Sequence, residues 1–142
     1  MITHLFLDFD GVLHPLAGPP FSRLPLFESV LREFPHVKLV ISSSWRTDLT
    51  LSTILGYFSP DIAARVIGST PDLGDLVTLT RYARHDEIQT YLSGTEIINW
   101  LAIDDARWQF PISALDRLIC CDPAVGFDES IAAKLRFRLS NG

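Results

Sequence analysis

Short apolar runs alternate along the chain with stretches of helical periodicity, and turn formers punctuate the two. The first run, Thr3–Phe9 (THLFLDF), has the length of a buried strand and is ended by Gly11. Leu13–Ser22 carries Pro15, Gly18, Pro19 and Pro20, which exclude a helix and mark a loop. A helix is predicted over Pro25–Phe34, with proline in the first turn and an apolar stripe at Leu26, Phe27, Val30, Leu31 and Phe34. Val37–Ser42 reads as a second buried strand. Thr47 or Asp48 is placed to cap a helix running through Leu51, Ile54 and Leu55 to Gly56. A short helix at Asp61–Arg65, a strand at Val66–Ser69 and a polar loop through Pro71 and Gly74 follow. Asp86–Leu92 reads as a helix, Trp100–Ile103 and Leu118–Cys121 as strands, and Asp128–Leu139 as a terminal amphipathic helix. The strands lack a polar face and alternate with helices. That combination predicts an α/β protein whose mostly parallel sheet is covered on both sides.

With 142 residues, 47% hydrophobic and 20% charged, the chain fits one domain, residues 1–142, with no linker and no internal repeat. It is too apolar for a disordered segment. Twelve basic against seventeen acidic side chains, a formal charge of −5, argue against a general nucleic-acid binder, which needs a cationic face. Cys120 and Cys121 are adjacent, a poor geometry for a disulfide, and read as buried thiols of a reducing compartment. Asp8 and Asp10 interrupt the apolar run that a secretion signal needs, and no run is long enough to span a bilayer; a cytoplasmic protein is expected.

In open α/β sheets, sites form at the carboxyl ends of the strands. Three of these ends carry chemistry: Asp8-Phe9-Asp10-Gly11, Ser42-Ser43-Ser44 and Asp104-Asp105. Converging them gathers four carboxylates beside a hydroxyl. Such a cluster repels itself unless a hard cation is present, and oxygen-only ligands favour Mg²⁺. The blander reading makes each acidic pair a helix cap or loop turn. Two pairs, each directly after an apolar strand, speak against it.

These residues also match a known pattern. LFLDFDGVLHP resembles the first motif of the haloacid dehalogenase-like (HAD) hydrolases, KLVISSSWR the second, Arg84 ahead of HDEIQTYL the third, and WLAIDD the fourth, in family order from Phe6 to Asp105. The set further resembles the small HAD domains associated with RNA-repair proteins. The resemblance implies a three-layer Rossmann-like fold and phosphate-ester hydrolysis, since members that cleave carbon–halogen bonds lack the second acid, here Asp10. It makes Asp8 the nucleophile and Asp10 the proton donor and water activator. Extended backbone from Asp8 to Asp10 points both side chains to one side of the strand. Ser43, with Ser42 as the alternative, donates to a phosphoryl oxygen. Arg84, with Arg81 as the competitor, stabilises the negative charge. Mg²⁺ is held by Asp8, the backbone carbonyl of Asp10, and Asp105, with Asp104 supporting it.

Other polar and aromatic residues invite structural roles first. His14 and His85 read as loop-packing or solvent-facing, and Trp45, Trp100 and Trp108 as core or rim aromatics, Trp45 having a substrate-facing wall as its second reading. Arg46 reads as half of a surface ion pair with a nearby acid, with a substrate phosphate as the alternative. Lys134, Arg136 and Arg138 suit the carboxyl end of a helix. Only Val12–Val40 separates the first two motifs, and Trp45 to Arg84 leaves no room for a folded cap. A capless, open site is therefore expected, flanked by the Pro-rich Leu13–Ser22 segment. It suits a bulky phosphorylated substrate such as a nucleic-acid end or a protein, or a small metabolite if a partner subunit closes it. A phosphate-receiving signalling domain places its acid pair after the first strand, the reverse of the order here. A non-catalytic HAD-like module would fit better had Asp8 or Asp10 been missing.

Overall fold

A computed structural model describes residues 2–73 and 82–141. Gly74 of the expected polar loop and Arg81 lie outside the described residues. Five strands, β1 (Thr3–Leu7), β2 (Val37–Ile41), β3 (Val66–Ser69), β4 (Trp100–Asp104) and β5 (Leu118–Cys120), form one sheet in the order β3-β2-β1-β4-β5. Every pairing is parallel. β1 is central because its residues are apolar on both faces: Leu5, Phe6 and Leu7 are fully buried.

The two faces are covered unequally. α1 (Leu24–Arg32), α2 (Leu51–Leu55), α3 (Pro60–Ala63) and α5 (Glu129–Asn141) contribute Phe27, Leu31, Ile54, Ile62, Ile131 and Leu135 to the larger cluster, around Leu5, Leu7, Leu39, Ile41, Leu101 and Ile103. The other face is covered by α4 (Ala83–Leu92) and the short 3-10 turns after β4. Its smaller cluster joins Phe6, Val40, Trp100 and Ala102 to Ile88 and Phe110. This is a three-layer, Rossmann-like α/β fold, and the described residues contain no cap domain. None of their helices is long and apolar enough to cross a membrane.

Most elements fall within two or three residues of expectation. The helix expected from Thr47 or Asp48 to Gly56 starts only at Leu51, and a separate 3-10 turn precedes it. The Ser43 hydroxyl accepts from the Trp45 N–H and starts a 3-10 turn over Ser44–Thr47, while Thr50 accepts from the Thr53 N–H and starts α2. Two capping residues so close together each begin a short helix rather than one long one. α4 begins three residues earlier than its periodicity suggests, which brings Arg84 into its first turn.

The larger cluster carries much of the stability. Phe27 is fully buried and meets Phe127 edge-on at 5.4 Å between ring centres. Truncating Phe27→Ala is expected to cost about 3–5 kcal/mol in urea unfolding, through lost burial plus a cavity.

Candidate active site

Strand register builds the site. Leu7 pairs with Ile41 on one side and with Ile103 on the other, so Asp8, Ser42 and Asp104 follow at one level on the carboxyl edge of the sheet. Side chains alternate along a strand. Because Leu7, Ile41 and Ile103 face the larger cluster, Asp8, Ser42 and Asp104 turn to the α4 face. There Arg84 meets them. Its Nη1 lies 3.4 Å from Asp8 Oδ1, its Nε lies 3.4 Å from Asp104 Oδ2, and Nη1 also donates to the Ser42 carbonyl.

Asp105 completes an acidic group. Oxygens of Asp8, Asp104 and Asp105 all lie within 4.8 Å of one another. Gly11 makes this approach possible. It sits at φ +76°, and a methyl group there would overlap the Asp105 carboxylate. Asp8 is 4% and Asp104 1% exposed, so burial raises both carboxyls above their usual range. Mutual repulsion among the three acids adds to this, while Arg84 opposes it. Asp104 is pushed up to about 6, even though its Oδ1 accepts the Ala106 N–H at 2.9 Å. Burial works against the Arg84 charge, but the facing Asp104 and Asp8 raise its pKa further.

The Ser42 hydroxyl is buried and has no hydrogen-bond partner among the described residues. Ser43 is fully buried too, with its oxygen capping the 3-10 turn through the Trp45 N–H at 3.2 Å. The spare hydroxyl on the Asp8 face is thus that of Ser42.

Asp10 lies apart from the other three acids. β1 ends at Leu7, and the backbone turns through Phe9–Leu13, whose amides at Val12 and Leu13 both donate to the Phe9 carbonyl. Asp10 therefore sits inside this turn rather than on the strand. The Asp10 carboxylate accepts from His14 Nε2 at 2.8 Å and from Trp45 Nε1 at 3.0 Å, with its side chain 43% exposed. His14 is the loop-packing residue expected, and its contact with Asp10 was not legible from spacing. Trp45 packs at the rim, edge-on to Phe9 and Phe21. Phe21 occupies the left-handed region at φ +58°, a conformation costing about 1–2 kcal/mol for a residue other than glycine.

Arg46 is half of an ion pair, but a buried one. Its Nη2 lies 2.7 Å from Glu87, and its other donors reach the Ser43, Thr70 and Pro71 carbonyls. Nothing in the sequence joined Arg46 to Glu87, because the pair bridges β2's exit and α4.

A parallel sheet with acids and a hydroxyl at its central strand ends, faced by an arginine from the helix ahead of β4, is the arrangement of a HAD-like fold. The chain belongs to the family of HAD domains in Swiss Army Knife RNA repair proteins, whose model matches residues 4–132. Neither the curated proteins nor the solved structures searched contain a match.

Two outcomes follow from the acidic group. A carboxyl whose pKa is raised by folding favours the folded state below its unfolded value of 3.8 and loses that contribution as pH rises through about 6. With a chelator present, wild type should therefore lose stability relative to Asp104→Asn across this window, by up to roughly 3 kcal/mol. Chemical denaturation at a series of pH values measures it, and parallel curves would contradict the electrostatic account. Gly11→Ala is expected to lower the unfolding free energy by about 1 kcal/mol or more, from its positive φ and the Asp105 overlap together.

Proposed function

We propose that this chain is a Mg²⁺-dependent phosphatase that hydrolyses a phosphate monoester through an aspartyl-phosphate on Asp8. The observation that carries the reading is the grouping of Asp8 with Asp104, Asp105, Arg84 and the unpartnered Ser42 hydroxyl at one strand level. Among the described residues, three carboxylates against one guanidinium leave an excess of negative charge in a largely buried place. That donor set, all hard oxygen, fits a divalent cation of the Mg²⁺ type. Asp8, Asp104 and Asp105 would hold it, with the Asp10 carbonyl added by family resemblance. Bound there, the ion supplies charge neutralisation for Asp8 and the phosphoryl oxygens.

The chain's own groups divide the remaining work. An Asp8 oxygen attacks phosphorus, and the bond to the leaving oxygen breaks as Asp10 gives that oxygen a proton. Water then attacks the phosphoryl group, Asp10 takes a proton from it, and inorganic phosphate leaves with Asp8 regenerated. Arg84 holds the Asp8 carboxylate and balances charge on the phosphoryl oxygens. Ser42 donates to one of those oxygens, with Ser43 buttressing the turn behind it.

The substrate we favour is bulky, a phosphorylated nucleic-acid end. Its support is the RNA-repair context of the family and the lack of a cap among the described residues. A charge of −5 limits contact to the end itself rather than a long tract.

Turnover of an aryl phosphate and of 3′- and 5′-phosphorylated oligonucleotides, with and without Mg²⁺, tests the proposal. Wild type should require the metal, and Asp8→Asn should lose activity by at least about a thousandfold; the absence of Mg²⁺- and Asp8-dependent turnover on all three would refute the phosphatase reading. Ser42→Ala should lower kcat/KM about tenfold to a hundredfold, more than Ser43→Ala does, for one donor to a charged oxygen. The opposite ranking would return the role to Ser43.

A further inference from the structure

Asp10 is anchored at both oxygens, by two side chains that come from different parts of the chain. Oδ1 accepts from His14 Nε2 at 2.8 Å, and Oδ2 accepts from Trp45 Nε1 at 3.0 Å. His14 is itself fixed. It is 6% exposed, and its Nδ1 accepts the backbone N–H of Phe21 at 3.1 Å. A nitrogen that accepts an N–H carries its lone pair, so the ring proton resides on Nε2 and points at Asp10. The donation from Phe21 comes from a residue held in the left-handed region, at φ +58°. Its ring packs edge-on against His14 at 5.5 Å and stacks on Tyr57 at 4.6 Å. Backbone strain, tautomer and aromatic packing thus converge on one carboxylate.

We propose that His14 and Trp45 are positioning residues that clamp Asp10 as the proton-transfer group. The chemical part of this inference rests on the phosphatase reading above. Each carboxylate oxygen has two lone-pair sites, and the clamp uses one on each. The other two remain for a proton shared with the leaving oxygen or with water, and the side chain is 43% exposed to reach them. With both oxygens bonded, the carboxyl group cannot swing about its terminal torsion. A proton donor fixed in this way needs no reorganisation when the ester bond breaks. The arrangement also explains why Asp10 lies apart from the acidic group. It is tethered on the aromatic side of the strand end, by His14 and Trp45.

Leaving-group dependence separates positioning from packing. A nitrophenyl phosphate departs with little need of a proton, whereas an alkyl phosphate needs one. kcat/KM reports the step in which that oxygen leaves. Trp45→Phe keeps an aromatic side chain while removing the indole N–H, and His14→Ala removes the other donor. Both should widen the nitrophenyl-to-alkyl ratio of kcat/KM about tenfold over wild type, within the range a general acid contributes. His14→Gln, which retains a donor at similar reach, should recover part of the loss. A ratio that stays at the wild-type value in Trp45→Phe and His14→Ala, whether or not overall activity falls, overturns the proposal. A second measurement needs no turnover. Nitrogen-15 spectra of the full chain should show His14 protonated at Nε2, and a Trp45 indole N–H resonance that moves and exchanges faster in Asp10→Ala. A ring protonated at Nδ1, or an indole resonance indifferent to Asp10→Ala, also overturns it. If wild type hydrolyses no phosphate while both spectral features are present, the phosphatase reading falls and the clamp on Asp10 stands.

Discussion

The structure turns on concentrating like charge where water is nearly absent. Asp8 and Asp104 are almost wholly buried on adjacent strands, with Asp105 against Gly11 and, among the described residues, Arg84 to balance them. Burial alone penalises each charged carboxyl, and their mutual repulsion adds to it. Apolar strands on either side of β1 hold the arrangement in place. Leu7, Ile41 and Ile103 pack against one another beneath the acids, so a slip of one residue would send every charged group into the larger core. Stability invested in the core is what permits an edge this unfavourable to persist.

The two faces of the sheet separate two kinds of work. On the α4 side lie the acids, the unpartnered serine hydroxyl and the guanidinium. On the other side the strand end turns into an aromatic and histidine-lined shelf that takes Asp10 with it. The division follows from the turn over Phe9–Leu13. Had β1 continued to Asp10, alternation would have returned that side chain to the same face as Asp8.

α4 is an unusual support, since Ile88 is its single fully buried residue among those described. Polar contacts therefore matter to it more than apolar area. Glu87 binds the buried Arg46, whose other donors tie down the Ser43, Thr70 and Pro71 carbonyls. A buried ion pair of this kind adds little net stability. Its value here is positional: it locks the helix that carries Arg84 to the loops leaving β2 and β3.

Periodicity and chain order were enough to locate the five strands, their parallel arrangement and the acids at their ends. Long apolar runs have few ways to be buried, and a run that stops at Asp-x-Asp or Asp-Asp marks its own carboxyl edge. Arg84 came from its resemblance to the family's third motif, with Arg81, outside the described residues, as its competitor. Neighbours in space were another matter. Which serine faces Asp8 depends on a register shared by three strands, and the sequence named Ser43 with Ser42 as the alternative. The hydrogen bonds from His14 and Trp45 to Asp10 join segments that no local pattern links, through a turn whose left-handed Phe21 lacks the glycine that would announce it. The Arg46–Glu87 pair was hidden for the same reason. Local sequence determines where an apolar strand ends and which side chain follows it. Only tertiary packing decides which side chains meet there, because a hydrogen bond depends on distances of a few tenths of an ångström between residues far apart in the chain.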